Sequence, residues 1–201
     1  MYRMSPAYVT QLLELIVTTA TADSLPLHSL LQDDIIKSLS SDEERPECIQ
    51  VVLKSFSETP IERIRLYNSN IAYSLDHTRI TRWYGLRTLS SIHGYTTTSS
   101  FLAKWQSSIP AGITTVPKLP LLIGNYFHLT PTTIQSLPSA ELSTIPEHRF
   151  AQLFGVKEKW SLDEIMPFLE GCVEGGNGWE KRAERECQKW ARVRQGMVMK
   201  R

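Results

Sequence analysis

The first half of the chain switches between helical and extended patterns of apolar positions. In segment 8–20, Leu12, Leu13, Ile16 and Val17 recur at the spacing that lines one face of a helix. Segment 27–40 repeats the style with Leu27, Leu30, Leu31 and Ile35. After an acidic turn at 40–47, a third helix is predicted with Cys48, Val51, Val52 and Phe56 on its inner face. The period then changes. Ile64 and Leu66 alternate with polar residues, Asn68-Ser69-Asn70 supplies a turn, and Ile71 and Tyr73 alternate on the return, which predicts a hairpin. Asp76 stands where a side-chain cap opens a further helix to Leu89, with Ile80, Trp83 and Tyr84 inward.

The second half repeats this rhythm in shorter form. Ser99 or Ser100 caps a helix carrying Phe101, Leu102 and Trp105, which Pro110 and Gly112 end. A turn and strand over 116–129 are followed by a weak return strand at 133–139, cut short by Pro138. Phe150, Leu153 and Phe154 then form an apolar stripe that Gly155 is expected to close. Ser161 and Glu164 fit a capping box ahead of Ile165, Met166, Phe168 and Leu169. Pro167 lies too deep for a first-turn proline, so a kink is expected there. A glycine-rich turn at 174–178, a helix over 179–194 and a strand over 196–200 complete the chain. Helices followed by a hairpin are the plan of a winged helix. The expected fold is therefore mainly α with small β-hairpins (α+β), in tandem winged-helix modules. One module spans 7–95, a small degenerate one 96–142 and a C-terminal one 143–201, while 1–6 is read as the last strand of a truncated upstream module.

Composition narrows the chemistry. The chain has 201 residues, 41% hydrophobic and 21% charged, with a formal net charge of +1. This is ordinary globular composition. The charge is unevenly placed: residues 179–201 hold eight basic and three acidic side chains, +5, which leaves −4 for the rest. Cys48, Cys172 and Cys187 are odd in number and widely spaced, which favours a reducing compartment over a disulfide framework or a zinc knuckle. No apolar run approaches the roughly 20 residues of a membrane-spanning helix. Asp76-His77-Thr78 has no accompanying nucleophile elbow, and the glycine-rich turn lacks the lysine and hydroxyl of a phosphate-binding loop. Asp33-Asp34 has no third ligand at metal spacing. No enzyme, cofactor or metal is expected.

Two spaced motifs carry a family resemblance. One comprises Arg149, Phe150, Leu153, Phe154, Lys159, Trp160, Ser161, Asp163, Glu164, Ile165, Pro167 and Phe168. The other comprises Phe101, Trp105, Ser108, Ile109, Pro110 and Gly112. Together with Lys189-Trp190-Ala191 and Gly196-Met197-Val198, they make the chain resemble the C-terminal half of the defective-in-sister-chromatid-cohesion proteins, subunits of the alternative replication factor C clamp loader. The resemblance implies a non-catalytic nuclear subunit acting on the sliding clamp PCNA in DNA replication and sister chromatid cohesion. It also implies winged helices that meet DNA, DNA polymerase epsilon or both. Members of that family assemble with a large ATPase subunit and a small cohesion subunit through a β-rich segment that is expected to be missing here.

The residues themselves point to one candidate surface. At about 100° per residue, Lys181, Arg185, Lys189 and Arg192 share one face of the terminal helix, and Trp179, Ala183, Cys187 and Trp190 share the opposite one. This helix occupies the position that enters the major groove in helix-turn-helix folds, and Lys200 and Arg201 follow where a wing would reach phosphate. The competing reading is a solvated face whose cations pair with Glu184 and Glu186. Tyr67, Tyr73, Trp83, Tyr84, Arg79, Arg82 and Arg87, in or beside the first hairpin, are either core and partner-facing groups or a base-stacking platform. The rival function is a sequence-specific winged-helix transcription regulator.

Overall fold

A computed structural model describes residues 4–39, 44–58, 71–173 and 175–201. The first helix, α1 (Pro6–Ala22), opens on Ser5, whose side chain accepts from the Tyr8 N–H, with Pro6 where a missing N–H costs nothing. Leu12, Leu13, Ile16 and Val17 are buried as their spacing predicts. The next segment differs from expectation. Leu30–Leu31 form a short strand, β1, and only Gln32–Ser38 are helical (α2), so Leu27 and Leu30 lie outside the helix.

The third helix, α3 (Pro46–Ser55), buries Ile49, Val52 and Leu53, followed by Phe56. Val51 is 49% exposed, so the inner face sits one step from the one expected. α1, α2 and α3 pack on one another. Most of the expected hairpin, including Ile64, Leu66, Tyr67 and the Asn68-Ser69-Asn70 turn, lies outside the described residues, as do residues 1–3 of the expected upstream strand. The return strand is seen as β2 (Ala72–Tyr73), antiparallel to β1, with Leu30 opposite Tyr73.

Asp76 does cap the following helix, α4 (His77–Ser90): its Oδ1 accepts from the Arg79 N–H at 2.9 Å. Ile80 and Tyr84 are buried, and Trp83 donates its indole N–H to Thr10 Oγ1 at 3.0 Å. Strand β3 (Tyr95–Thr97) runs directly into α5 (Thr98–Ser108). The cap is Thr97, whose Oγ1 accepts from the Ser100 N–H, two or three residues before the expected one. Trp105 is fully buried and donates its indole N–H to the Thr81 carbonyl at 2.8 Å. Strands β4 (Tyr126–Thr130) and β5 (Thr133–Ser136) form a hairpin, and β3 adds to β5, giving an antiparallel sheet ordered β3-β5-β4.

The C-terminal segment begins with α6 (Pro146–Val156), which runs through Gly155 rather than ending there. Strand β6 (Lys159–Ser161) leads to α7 (Leu162–Ile165). The α-helix stops before Pro167, and Met166–Phe168 continue as a 3-10 turn. The proline therefore ends the helix where a kink was expected. Helix α8 (Trp179–Trp190) precedes β7 (Ala191–Arg194) and β8 (Met197–Lys200). The sheet is again antiparallel, in the order β6-β8-β7.

The architecture is thus α+β, helices with small antiparallel sheets. The chain forms two compact units, one from residues up to 88 with 103–121, the other from 89–102 with 122–201. Within the second unit, Phe127, Phe150, Leu153, Trp160, Ile165, Phe168, Ala183, Cys187 and Val198 share one core.

Candidate nucleic-acid interface

Three of the four cations assigned to the terminal helix lie where the angular count placed them. Lys181, Arg185 and Lys189 are exposed on α8, while Ala183 and Cys187 are buried on its opposite side and Trp179 and Trp190 pack against the same core. Arg192 is a correction. The helix ends at Trp190, and Ala191–Arg194 form β7, so Arg192 projects from a strand beside the helix. The cause is local. Gln195 and Gly196 both take positive φ, 49° and 74°, which suits a two-residue hairpin turn, and residues 191–194 pair with β8.

The competing ion-pair reading has no geometric support. Among the described residues, Lys181, Arg185 and Lys189 make no salt bridge within 4 Å. Glu186 instead accepts from the Trp190 indole N–H at 2.7 Å, and Lys189 Nζ stands 4.9 Å from the Trp190 ring centre. Lys200 is exposed at the end of β8. Arg201 is partly engaged: Nη2 donates to the Gln188 carbonyl at 2.7 Å and Nε to the Ala191 carbonyl at 3.3 Å. It thereby satisfies orphan carbonyls at the end of α8 and adds positive charge there. Arg182 also serves the backbone, donating to Gly175 and Asn177 carbonyls of the turn before the helix.

The exposed cations are held over a dense support. Trp160 is fully buried and donates its indole N–H to Lys157 O at 2.8 Å, its ring lying 5.6 Å from those of Phe127 and Phe168. Burial pushes the Cys187 thiol up to about 12, so it acts as a small apolar core group. Ser161 caps α7 as expected, but Glu164 does not complete the capping box. Its carboxylate instead accepts from the His128 N–H at 2.8 Å and from Lys157 Nζ at 2.6 Å, and Lys157 also donates to the His128 carbonyl. This ties α7 to strand β4.

Arg149 is the residue whose role sequence reasoning missed. It is 1% exposed and donates to the carbonyls of Ser139 and Ser143, and burial lowers its pKa from the ordinary value. A Cβ added at Gly171 would come within 2.8 Å of its Nη1, so a glycine there makes room for the guanidinium. In the first unit, Arg79 donates to the Ser55 and Ser57 carbonyls and Arg82 to the Leu121 carbonyl, which gives both a bracing role. Trp83 and Tyr84 are likewise core-side groups, so the stacking platform is not assembled by these four residues. Among the described residues there is no group of His, Cys, Asp or Glu that could hold a metal ion and no helix long and apolar enough to cross a membrane.

The sequence model of one family, "Sister chromatid cohesion protein Dcc1", matches residues 1–169. The sister chromatid cohesion protein DCC1 of Saccharomyces cerevisiae is 27% identical over 175 residues, covering 83% of this chain and 45% of the yeast protein. The probable sister chromatid cohesion protein DCC1 of Dictyostelium discoideum is 26% identical over 198 residues, 89% of this chain and 52% of that protein. The human sister chromatid cohesion protein DCC1 is 27% identical over 128 residues, 63% of this chain and 31% of the human protein. The chain spans about half the length, or less, of these relatives. The family match ends ahead of α8, so the cationic surface is defined by geometry alone. With residues 1–169 of 201 matched, the chain belongs to the family of the sister chromatid cohesion protein Dcc1.

Proposed function

We propose that the chain is a non-catalytic, winged-helix adaptor in sister chromatid cohesion that contacts DNA through α8 and the hairpin after it. Strand order supports the winged-helix reading. In the C-terminal segment the elements run α6, β6, α7, α8, β7, β8 with sheet order β6-β8-β7, so the third strand lies between the first and second. The preceding sheet repeats this order as β3-β5-β4, and the first segment pairs β1 with β2 around α2 and α3.

The single observation that favours DNA is the row Lys181, Arg185 and Lys189, exposed and without carboxylate partners among the described residues, on the last helix before a hairpin. That helix position reads the major groove in related folds. The row holds no Asn or Gln for adenine readout, and although arginine and lysine also reach guanine, we assign these cations to phosphate, which carries no sequence information. The wider role we propose, which the family resemblance supports, is that of a nuclear subunit of the alternative clamp loader acting on PCNA during DNA replication, with the large ATPase subunit, the small cohesion subunit and DNA polymerase epsilon as partners.

Fluorescence anisotropy with labelled duplexes tests the DNA contact. Duplexes of unrelated sequence should bind within about threefold of one another, well short of the 10³-fold or greater preference of a specific regulator. A strong preference for one sequence, or no binding at low salt, would contradict this function.

A further inference from the structure

The open edge of β7 carries a second kind of binding chemistry. In the order β6-β8-β7, strand β7 has no neighbour on its outer side among the described residues. Its register is fixed by the two-residue turn at Gln195-Gly196, with Arg194 opposite Met197, Val193 opposite Val198 and Arg192 opposite Met199. In such a hairpin the residues flanking the turn exchange hydrogen bonds, and the next pair does not. The N–H and C=O of Val193 therefore point outward, whereas at Ala191 the N–H donates to the Cys187 carbonyl and the carbonyl accepts from Arg201.

A shallow recess of about 430 Å³ runs along this edge, lined by Gln188, Ala191, Arg192, Val193 and Arg201. Val193 lies on the same side of its strand as buried Ala191 and opposite buried Val198, yet it is 37% exposed. Residues 187–201 contain Lys189, Arg192, Arg194, Lys200 and Arg201 and no acidic side chain.

We infer that this edge is a docking site for an extended, acidic segment of a partner protein, which adds a strand to β7, places an apolar side chain in the recess and sets carboxylates against Arg192 and Arg194. Each part of the site selects that ligand. An outward backbone donor beside an outward backbone acceptor is complementary to another peptide backbone, whereas the carbonyl repels a phosphate. The apolar floor at Val193 and Ala191 has no use in a phosphate contact. The arginines favour an acidic strand and repel a second copy of the same edge, which limits self-association. The site shares the β7–β8 hairpin with the proposed DNA contact but does not use the α8 row Lys181, Arg185 and Lys189.

The test uses the full chain and a fluorescein-labelled octapeptide alternating glutamate and valine, followed by anisotropy. Two further versions of the peptide carry backbone N-methyl groups on every glutamate or on every valine. In a strand, alternate N–H groups face opposite sides, so one methylated version should bind as the parent does and the other should lose about tenfold or more. Arg192→Glu should also weaken the parent peptide by about tenfold, while Lys181→Glu on α8 should leave it within about twofold. The methylation result needs no protein variant, so a misfolded R192E would not decide the matter. Equal binding of both methylated peptides would overturn the proposal by showing attraction of charge alone. No binding of the parent peptide, or its displacement from the recess by a short DNA duplex with no difference between the methylated versions, would overturn it as well.

Discussion

Trp160 and Trp105 show most directly what a single side chain does here. Both are fully buried and both indole N–H groups are satisfied by a carbonyl, so truncation removes packing and a hydrogen bond together. Trp160→Ala and Trp105→Ala should each destabilise the fold by about 3–5 kcal/mol in urea unfolding. A loss below about 1 kcal/mol would show that the ring is not packed. Arg149→Ala should cost at least about 3 kcal/mol, because it opens a cavity and strands two carbonyls. Cys187 contributes to alkaline sensitivity beside Tyr84 and Tyr126, whose hydroxyl pKa values burial also raises. Its thiol is neutral in the core with a raised pKa, so the stability it contributes is full below about 9 and falls as pH rises toward about 12. Thermal denaturation should show that fall, and Cys187→Ala should reduce it; an equally steep fall in the variant would place its cause elsewhere. The tryptophans were legible in the sequence because a large aromatic at helical or motif spacing rarely faces water. Arg149 was visible only as a motif member. Its burial depends on carbonyls at Ser139 and Ser143 and on the space at Gly171, none of which the pattern reveals.

Among the elements, caps and turns explain where the pattern held and where it slipped. Asp76 and Ser161 cap as expected, since a short polar side chain directly before an apolar run meets the free N–H groups of the first turn. The inner face of α3 was displaced because Cys48, Val51 and Val52 and the true set Ile49, Val52 and Leu53 are both apolar at helical spacing. Only packing against α1 and α2 separates them. Arg192 was placed on α8 because its angle continued the row, whereas the hairpin at Gln195-Gly196 draws residues 191–194 into a sheet. The Lys157–Glu164 pair is a tertiary link that no local rule indicates. Both groups are more than half buried, at 2.6 Å, and Glu164 also holds the His128 N–H. Glu164→Gln should cost about 1–3 kcal/mol. Amide exchange should quicken in β4 and α7; unchanged exchange at His128 would show that the link does not brace that strand.

For the molecule as a whole, the uneven charge noted in the sequence becomes a surface. The cations of residues 179–201 divide between bracing, by Arg182 and Arg201, and exposure, by Lys181, Arg185, Lys189, Arg192, Arg194 and Lys200. The remaining residues carry −4, so phosphate should be directed to this end of the chain. Each phosphate contact contributes about 0.9 to the slope of log affinity against log salt concentration. Glutamine at positions 181, 185 and 189 nearly preserves helix propensity while removing three charges. The decisive measurement is therefore DNA affinity as a function of salt for the chain and for the Lys181→Gln, Arg185→Gln, Lys189→Gln variant, with helicity checked by circular dichroism. The slope should shrink by roughly 2–3 units in the variant. An unchanged slope at unchanged helicity would contradict the assignment of DNA contact to α8.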